Sequence, residues 1–177
     1  TMASKLRVDS ILPVDGAPTS GGGGIIQVKS VSKTDTFSSN STSYTDVTGL
    51  SVSITPKFST SKILVMMHVQ IGHDSNVAGF LRLMRDSTAI AVGTDTSSRI
   101  ASTVAMADDP TDDEINSTSI TFLDSPSTTS STTYKVQMNT EASGNTGYVH
   151  VNRSGEDADN NQNGRTCSTI TVMEVSA

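Results

Sequence analysis

Residues 34–69, TDTFSSNSTSYTDVTGLSVSITPKFSTSKILVMMHV, decide the fold. Apolar and hydroxyl side chains alternate along this stretch, with breaks at Gly49 and Pro56. A period of two sends successive side chains to opposite faces of a sheet. The stretch therefore predicts strands with one face toward a core or partner and the other toward water. It contains no group suited to running a reaction, so it favours a surface building block over a catalyst.

The same alternation extends outward in both directions. Strand-like runs fall at 25–32, 43–47, 50–55, 62–71, 80–85, 88–92, 100–106, 117–123, 132–140, 147–152 and 168–175. In the run at 62–71, Ile63, Val65, Met67, Val69 and Ile71 share one face, with Lys62, His68 and Gln70 on the other. In the run at 132–140, Tyr134, Val136 and Met138 point inward, while Lys135, Gln137 and Asn139 point out. Residues Arg85, Asp86, Ser87 and Thr88 read as a tight hairpin turn. No segment sustains a helical period. Many short strands at this spacing predict an all-β fold, an antiparallel β-sandwich that is jelly-roll-like, which also leaves few open sheet edges.

Composition agrees. There are 28 serines and 25 threonines against four Phe, three Tyr and no Trp in 177 residues. Threonine suits a pleated, half-exposed surface and serine suits turns. A chain of this length supports one core, burying about 70% of its unfolded surface. That core is expected to be thin, built from Val, Ile, Leu and Met. The net charge of −6, with twelve scattered basic residues, argues against nucleic acid as a partner, because phosphates need clustered Lys and Arg. No apolar run approaches the ~20 residues of a membrane span, and the leading residues lack the apolar core of a secretory signal. Cys167 is the single cysteine and reads as a small buried side chain in the last strand.

Residues 1–24 differ from the body. They carry KLRVDSIL, two prolines and the glycine run Gly21 to Gly24. We expect an extended arm with a flexible joint, ordered on a partner through Leu6, Val8, Ile11 and Leu12, ahead of a sandwich domain at 25–177.

The candidate chemistry is sparse. His68 and His73 stand five apart at a strand end, where odd spacing places them on opposite faces, and His150 lies far away. Two acidic loops are prominent: Asp108, Asp109, Asp112, Asp113 and Glu114 in the first, and Asp157, Asp159, Asn161 and Asn163 in the second. The second resembles a calcium loop in its alternating oxygens. However, Gln162 stands where the turn glycine belongs and Ser168 where the bidentate glutamate belongs. Both loops read as solvated turns, available for surface recognition through Asp108, Asp109, Asp112, Asp113, Asp157, Asp159 and Asn161. No serine has a visible catalytic partner, no G-x-S-x-G element occurs and no phosphate loop follows the glycine run. No catalytic residue, metal or cofactor is expected. The three N-x-S/T patterns read as chance matches in a hydroxyl-rich chain.

The order of certain motifs is distinctive. The run at 33–69 is followed by FLRLMRDSTAIAVG (80–93), SITFLDSPSTTSSTTYKVQMNT (119–140), YVHVNRS (148–154) and STITVMEV (168–175). This series resembles small virion structural proteins of tailed bacteriophages, particularly those of marine and cyanobacterial hosts, across residues 25–176. KLRVDSIL is similar to their leader. The resemblance implies a non-enzymatic protein of the virion surface, assembled in the host bacterial cytoplasm, with homotrimers and a major capsid protein or other virion protein as partners. A short arm on a compact knob favours a capsid decoration or cement protein. Two alternatives remain: a tail-fibre or spike tip that binds a host surface glycan or receptor, and a free carbohydrate-binding sandwich. The last is hampered by the scarcity of aromatic residues, with Tyr44, Tyr134 and Tyr148 the only tyrosines.

Overall fold

The computed structural model describes residues 24–94, 97–141 and 147–176. The arm residues Leu6, Val8, Ile11 and Leu12 lie outside the described residues. Among the described residues eleven strands form the body: β1 (Ile25–Lys33), β2 (Phe37–Ser39), β3 (Thr45–Ile54), β4 (Lys62–His73), β5 (Gly79–Arg85), β6 (Thr88–Ile90), β7 (Val104–Met106), β8 (Asn116–Asp124), β9 (Thr132–Thr140), β10 (Val149–Val151) and β11 (Ser168–Val175). All pairings are antiparallel.

The eleven strands occupy eight lanes. β10 and β11 lie end to end along one edge of β4, against 71–73 and 62–68. On their far side lie β2 and β1, also end to end. Likewise β7 and β6 share one edge of β5. The first sheet thus runs β1/β2, β11/β10, β4, β8, and the second runs β3, β9, β5, β6/β7. Counted along the chain, lane one pairs lane eight, two pairs seven, three pairs six and four pairs five. That is a long antiparallel hairpin rolled into two sheets, the connectivity of a jelly roll.

The inward faces fill the space between the sheets. Ile63, Val65, Met67, Val69 and Ile71 of β4 face Leu81 and Leu83 of β5 and Tyr134, Val136 and Met138 of β9, all at most 1% exposed. Burying each such side chain contributes about 1.5–3 kcal/mol. The period-two reading of β4 and β9 thus matches the core.

Several local readings differ. The runs at 43–47 and 50–55 are one strand, β3, with a bulge: Asp46 pairs Gln137 and Ser51 pairs Lys135, five residues against two. Gly49, at φ +82°, takes the turn that a Cβ disfavours, so its break is a kink and not an end. β2 was not expected, being three residues in a serine-rich stretch. Asn139 has outward parity but is buried, because the 40–44 loop folds over it and Thr42 C=O accepts from its Nδ2 at 3.4 Å. Cys167 is exposed and not a core residue, since it immediately precedes the inward-facing Ser168. The hairpin turn at Arg85 to Thr88 is present, with Asp86 at φ +51° and its Oδ1 accepting from the Thr133 N–H at 2.8 Å.

Candidate functional site

Three surfaces carry the chain's polar and interaction chemistry: a polar corner at the end of β4, and the outer faces of the two sheets.

The corner forms where lanes one and eight change strand. Asn152 follows β10, fully buried, at φ +66°, a conformation Asn tolerates better than most residues. Its Nδ2 donates to Lys33 C=O (2.8 Å) and Asp35 C=O (2.9 Å), and its N–H donates to Gln70 C=O (3.0 Å). Its Oδ1 accepts from Ser168 Oγ at 2.6 Å. One side chain thus clips the β1–β2 break to the start of β11. Two glycines let the backbones approach. A Cβ on Gly72 would strike Arg153 C=O, and one on Gly155 would strike His73 C=O.

His150 sits beside this clip, 1% exposed. Its Nε2 meets Asp74 Oδ1 at 2.8 Å, and its Nδ1 meets Ser38 Oγ at 2.8 Å and Arg153 Nη2 at 2.9 Å. The donors at Nδ1 place the proton on Nε2, donating to Asp74. Burial pushes the His150 pKa down, and adjacent Arg153 lowers it further against the opposing pull of Asp74. Burial pushes the Asp74 carboxyl up, yet the bonds from His150 and the Tyr148 N–H outweigh it and leave Asp74 below the usual carboxylate range.

Ser38, His150 and Asp74 therefore form a serine–histidine–aspartate chain that the sequence did not suggest. Its geometry is that of a clamp. Ser38 and His150 are directly opposite in the ladder, where polar cross-strand pairs meet. Asp74 is tied to Tyr148 in both directions, its N–H donating to Tyr148 C=O at 2.9 Å and its Oδ2 accepting the Tyr148 N–H at 2.8 Å. Arg153 competes for the lone pair that would have to take a proton from Ser38, and its charge disfavours that transfer.

The two acidic loops meet at this corner, for Glu156 N–H donates to Asp112 C=O at 2.9 Å. Asp157 is bound by Arg153 at 2.7 Å and by Arg165. Burial raises the Asp157 pKa, and the two arginines more than reverse it. Asp109 accepts from Thr111 N–H (2.9 Å) and Oγ1 (2.8 Å), which lower its pKa. Asn160 Oδ1 accepts from Gln162 N–H and Asn163 N–H, while Asn163 engages Ser154 and Glu156. Asp108, Asp113, Asp159 and Asn161 are exposed. The loop oxygens thus largely serve their own turns. Among the described residues no three His, Cys, Asp or Glu converge on one point. His68 is exposed and His73 buried, on opposite faces as the spacing implies. The tyrosines lie apart: Tyr134 in the core, Tyr44 under Arg82 with its OH on Ala101 C=O, and Tyr148 exposed and stacked on His150.

The outer sheet faces differ sharply. On β3, β9 and β5, Lys135 Nζ pairs with Asp46 at 2.7 Å, Gln137 Nε2 donates to Asp46 at 2.6 Å and Arg82 Nε donates to Gln137 at 2.8 Å. This self-satisfied network suits water. On the other sheet, one cross-strand row reads Leu123, Leu64, Met173 and Val28 across all four lanes. Beside it lie Val175 and Ile25 on one side and Met66 on the other. The next rows are Thr121, Met66, Thr171, Ser30 and then Ser119, His68, Thr169, Ser32.

The lanes and the filled interior define an all-β jelly-roll sandwich. No family model matches the chain, and no curated protein does. Among solved structures, it is similar to the infectious bursal disease virus Gx strain structure, with a TM-score of 0.45 and 12% identity over 99% of this chain and 44% of that chain. It is also similar to the VP2 subviral particle of the same virus, with a TM-score of 0.44 and 15% identity over 99% of this chain and 43% of that chain. This chain spans less than half the length of those chains. The lane order of the chain itself defines its fold.

Proposed function

We propose that this chain is a non-enzymatic structural protein of a virus particle. In this reading it is a compact block on the capsid surface of a tailed bacteriophage, assembled as a homotrimer in the bacterial cytoplasm and attached to the shell through residues 1–24. The observation that carries the reading is the eight-lane jelly roll with its interior filled by aliphatic side chains. Jelly rolls serve chiefly as capsid and lectin domains and as cupins. A cupin needs an interior site, and here that space holds Ile63, Val65, Met67, Leu81, Leu83 and Val136. A lectin-like module needs grouped aromatic platforms, and the three tyrosines stand apart. The bacteriophage motif series at 33–175 supports the particle reading independently. Fold alone does not define function, so the test is direct. Deleting residues 1–24 is expected to leave a folded protein that no longer co-sediments with particles, and retained attachment would overturn the docking role.

A further inference from the structure

We infer that the outer face of the β8–β4–β11–β1 sheet is the surface by which copies of this chain associate. The inference goes beyond the proposed function by naming the surface, and it does not depend on where in a particle the chain resides.

The face is built for contact. Its apolar row crosses every lane, and Leu123, Met66, Val28 and Ile25 are 53%, 43%, 50% and 60% exposed. Large exposed aliphatic side chains gathered in one band mark an interaction surface, whereas scattered ones do not. The remaining outward positions are mainly hydroxyls, several already paired: Ser30 Oγ with Thr171 Oγ1 at 2.7 Å, and Gln70 Nε2 with Ser117 Oγ at 2.6 Å. Such a surface can be dried without stranding charge.

Charge selects the occupant. Along the cross-strand rows from Lys62 to Gln70, Lys62 at the rim is the sole Lys, Arg, Asp or Glu facing outward. The chain as a whole carries −6. Two like-charged copies approach at least cost where charge is missing, and depletion of charge with apolar enrichment characterises the centre of interfaces between identical chains. A strongly basic or acidic partner would find nothing to pair with. The opposite sheet, laced by Asp46, Lys135, Gln137 and Arg82, offers no such surface. Size is compatible: four lanes at ~4.8 Å and nine residues at ~3.4 Å give a flat footprint of about 590 Å² before side-chain relief. Stable interfaces bury roughly 800 Å² of accessible surface per partner.

The test is the mass of the full chain in solution, by analytical ultracentrifugation, for the wild type, Met66→Glu/Leu123→Glu and the opposite-face control Ser53→Glu/Thr133→Glu. The expected result is a multiple of 18.5 kDa for the wild type and the control, and the single-chain mass for Met66→Glu/Leu123→Glu with an unchanged far-UV spectrum. A monomeric wild type, or an oligomer that survives the paired glutamates, overturns the inference. Should the double variant fail to fold, peroxide footprinting of the unmodified protein decides the matter. Met66 is expected to oxidise more slowly as concentration rises, and a rate independent of concentration overturns the inference. A monomeric wild type whose Met66 becomes reactive on deletion of residues 1–23 would instead assign the face to the chain's own leading segment, and this too overturns it. A monomer that still binds particles defeats this inference together with the homotrimer, and leaves the proposed role in the particle standing. An oligomer that is absent from particles does the reverse.

Discussion

Replacing Glu174 with glutamine tests how the sandwich closes at the β1–β11 end. Glu174 is fully buried on the inward side of β11, in line with Ile170 and Val172. Its Oε1 accepts the Lys57 N–H at 2.7 Å and, more weakly, the Phe58 N–H at 3.4 Å, while Oε2 accepts Gln27 Nε2 at 2.6 Å. Gln27 Nε2 also donates to Thr55 C=O at 2.7 Å, so one carboxylate pins the loop around Pro56 to the first and last strands. Glutamine keeps the shape but swaps one acceptor for a donor. That donor then faces either the Lys57 N–H or the Gln27 amide, and flipping Gln27 would release Thr55 C=O. A hydrogen bond to a charged group contributes about 1.5–3 kcal/mol, and a stranded buried donor costs about 1–3 kcal/mol. The expected loss is about 2–4 kcal/mol, or roughly 4–16 °C in Tm for a chain of this size. Calorimetric melts at neutral pH and fixed protein concentration read it. Burial pushes the Glu174 carboxyl up, and the hydrogen bonds from Gln27 and the backbone N–H groups outweigh burial, leaving it below its ordinary value. A depressed carboxyl stabilises fully above its unfolded value, about 4.3, and the contribution fades as pH falls through the folded value. The gap between wild type and Glu174→Gln therefore narrows on acidification below about pH 4. Equal melts at neutral pH, or a gap that widens in acid, would refute the reasoning.

Tyr134→Phe removes a buried OH that donates to Asp124 Oδ2 at 2.7 Å and leaves that carboxylate to the Arg85 guanidinium. Chemical denaturation should show a loss of about 1.5–3 kcal/mol. Gly72→Ala drives a Cβ into the Arg153 carbonyl, whereas Gly164→Ala meets open space. The first should lower Tm severely or abolish soluble expression, and the second should leave the melt unchanged. Ser38, held by His150 with Arg153 on the same nitrogen, should resist a fluorophosphonate probe. Labelling at Ser38 detected by peptide mass spectrometry would contradict the clamp reading and reopen hydrolysis.

The fold was readable in the sequence wherever burial is one-sided. β4 alternates as expected from Lys62 to Ile71 and β9 from Thr132 to Met138, because there each faces the core on one side only; the alternation breaks at Gly72 and at Asn139, where other segments cover the outward side. Glu174 was not singled out, although its parity places a charge on the buried stripe of β11, a signal of a pinned carboxylate. The corner was not readable, because it depends on distance. Asp74 and His150 lie 76 residues apart and Ser38 and His150 lie 112 apart, joined only by lane order. The Asn152 clip is equally silent, since an asparagine after a strand reads as an ordinary turn residue. Gly49 shows the limit of punctuation: glycine marked a change of direction correctly, yet whether it is an end or a bulge depends on β9. The apolar row of the outer face emerged only once register placed Leu123, Leu64, Met173 and Val28 side by side.

If this jelly roll is a building block of a virus particle, as proposed, it is present in purified particles at a fixed stoichiometry. The direct test is quantitative mass spectrometry of particles purified from the source of the chain, with the major shell protein as internal reference. The expected result is a fixed ratio to the shell protein, in proportion to the capsid lattice. Absence from purified particles, with the chain found only in the soluble fraction, would contradict it.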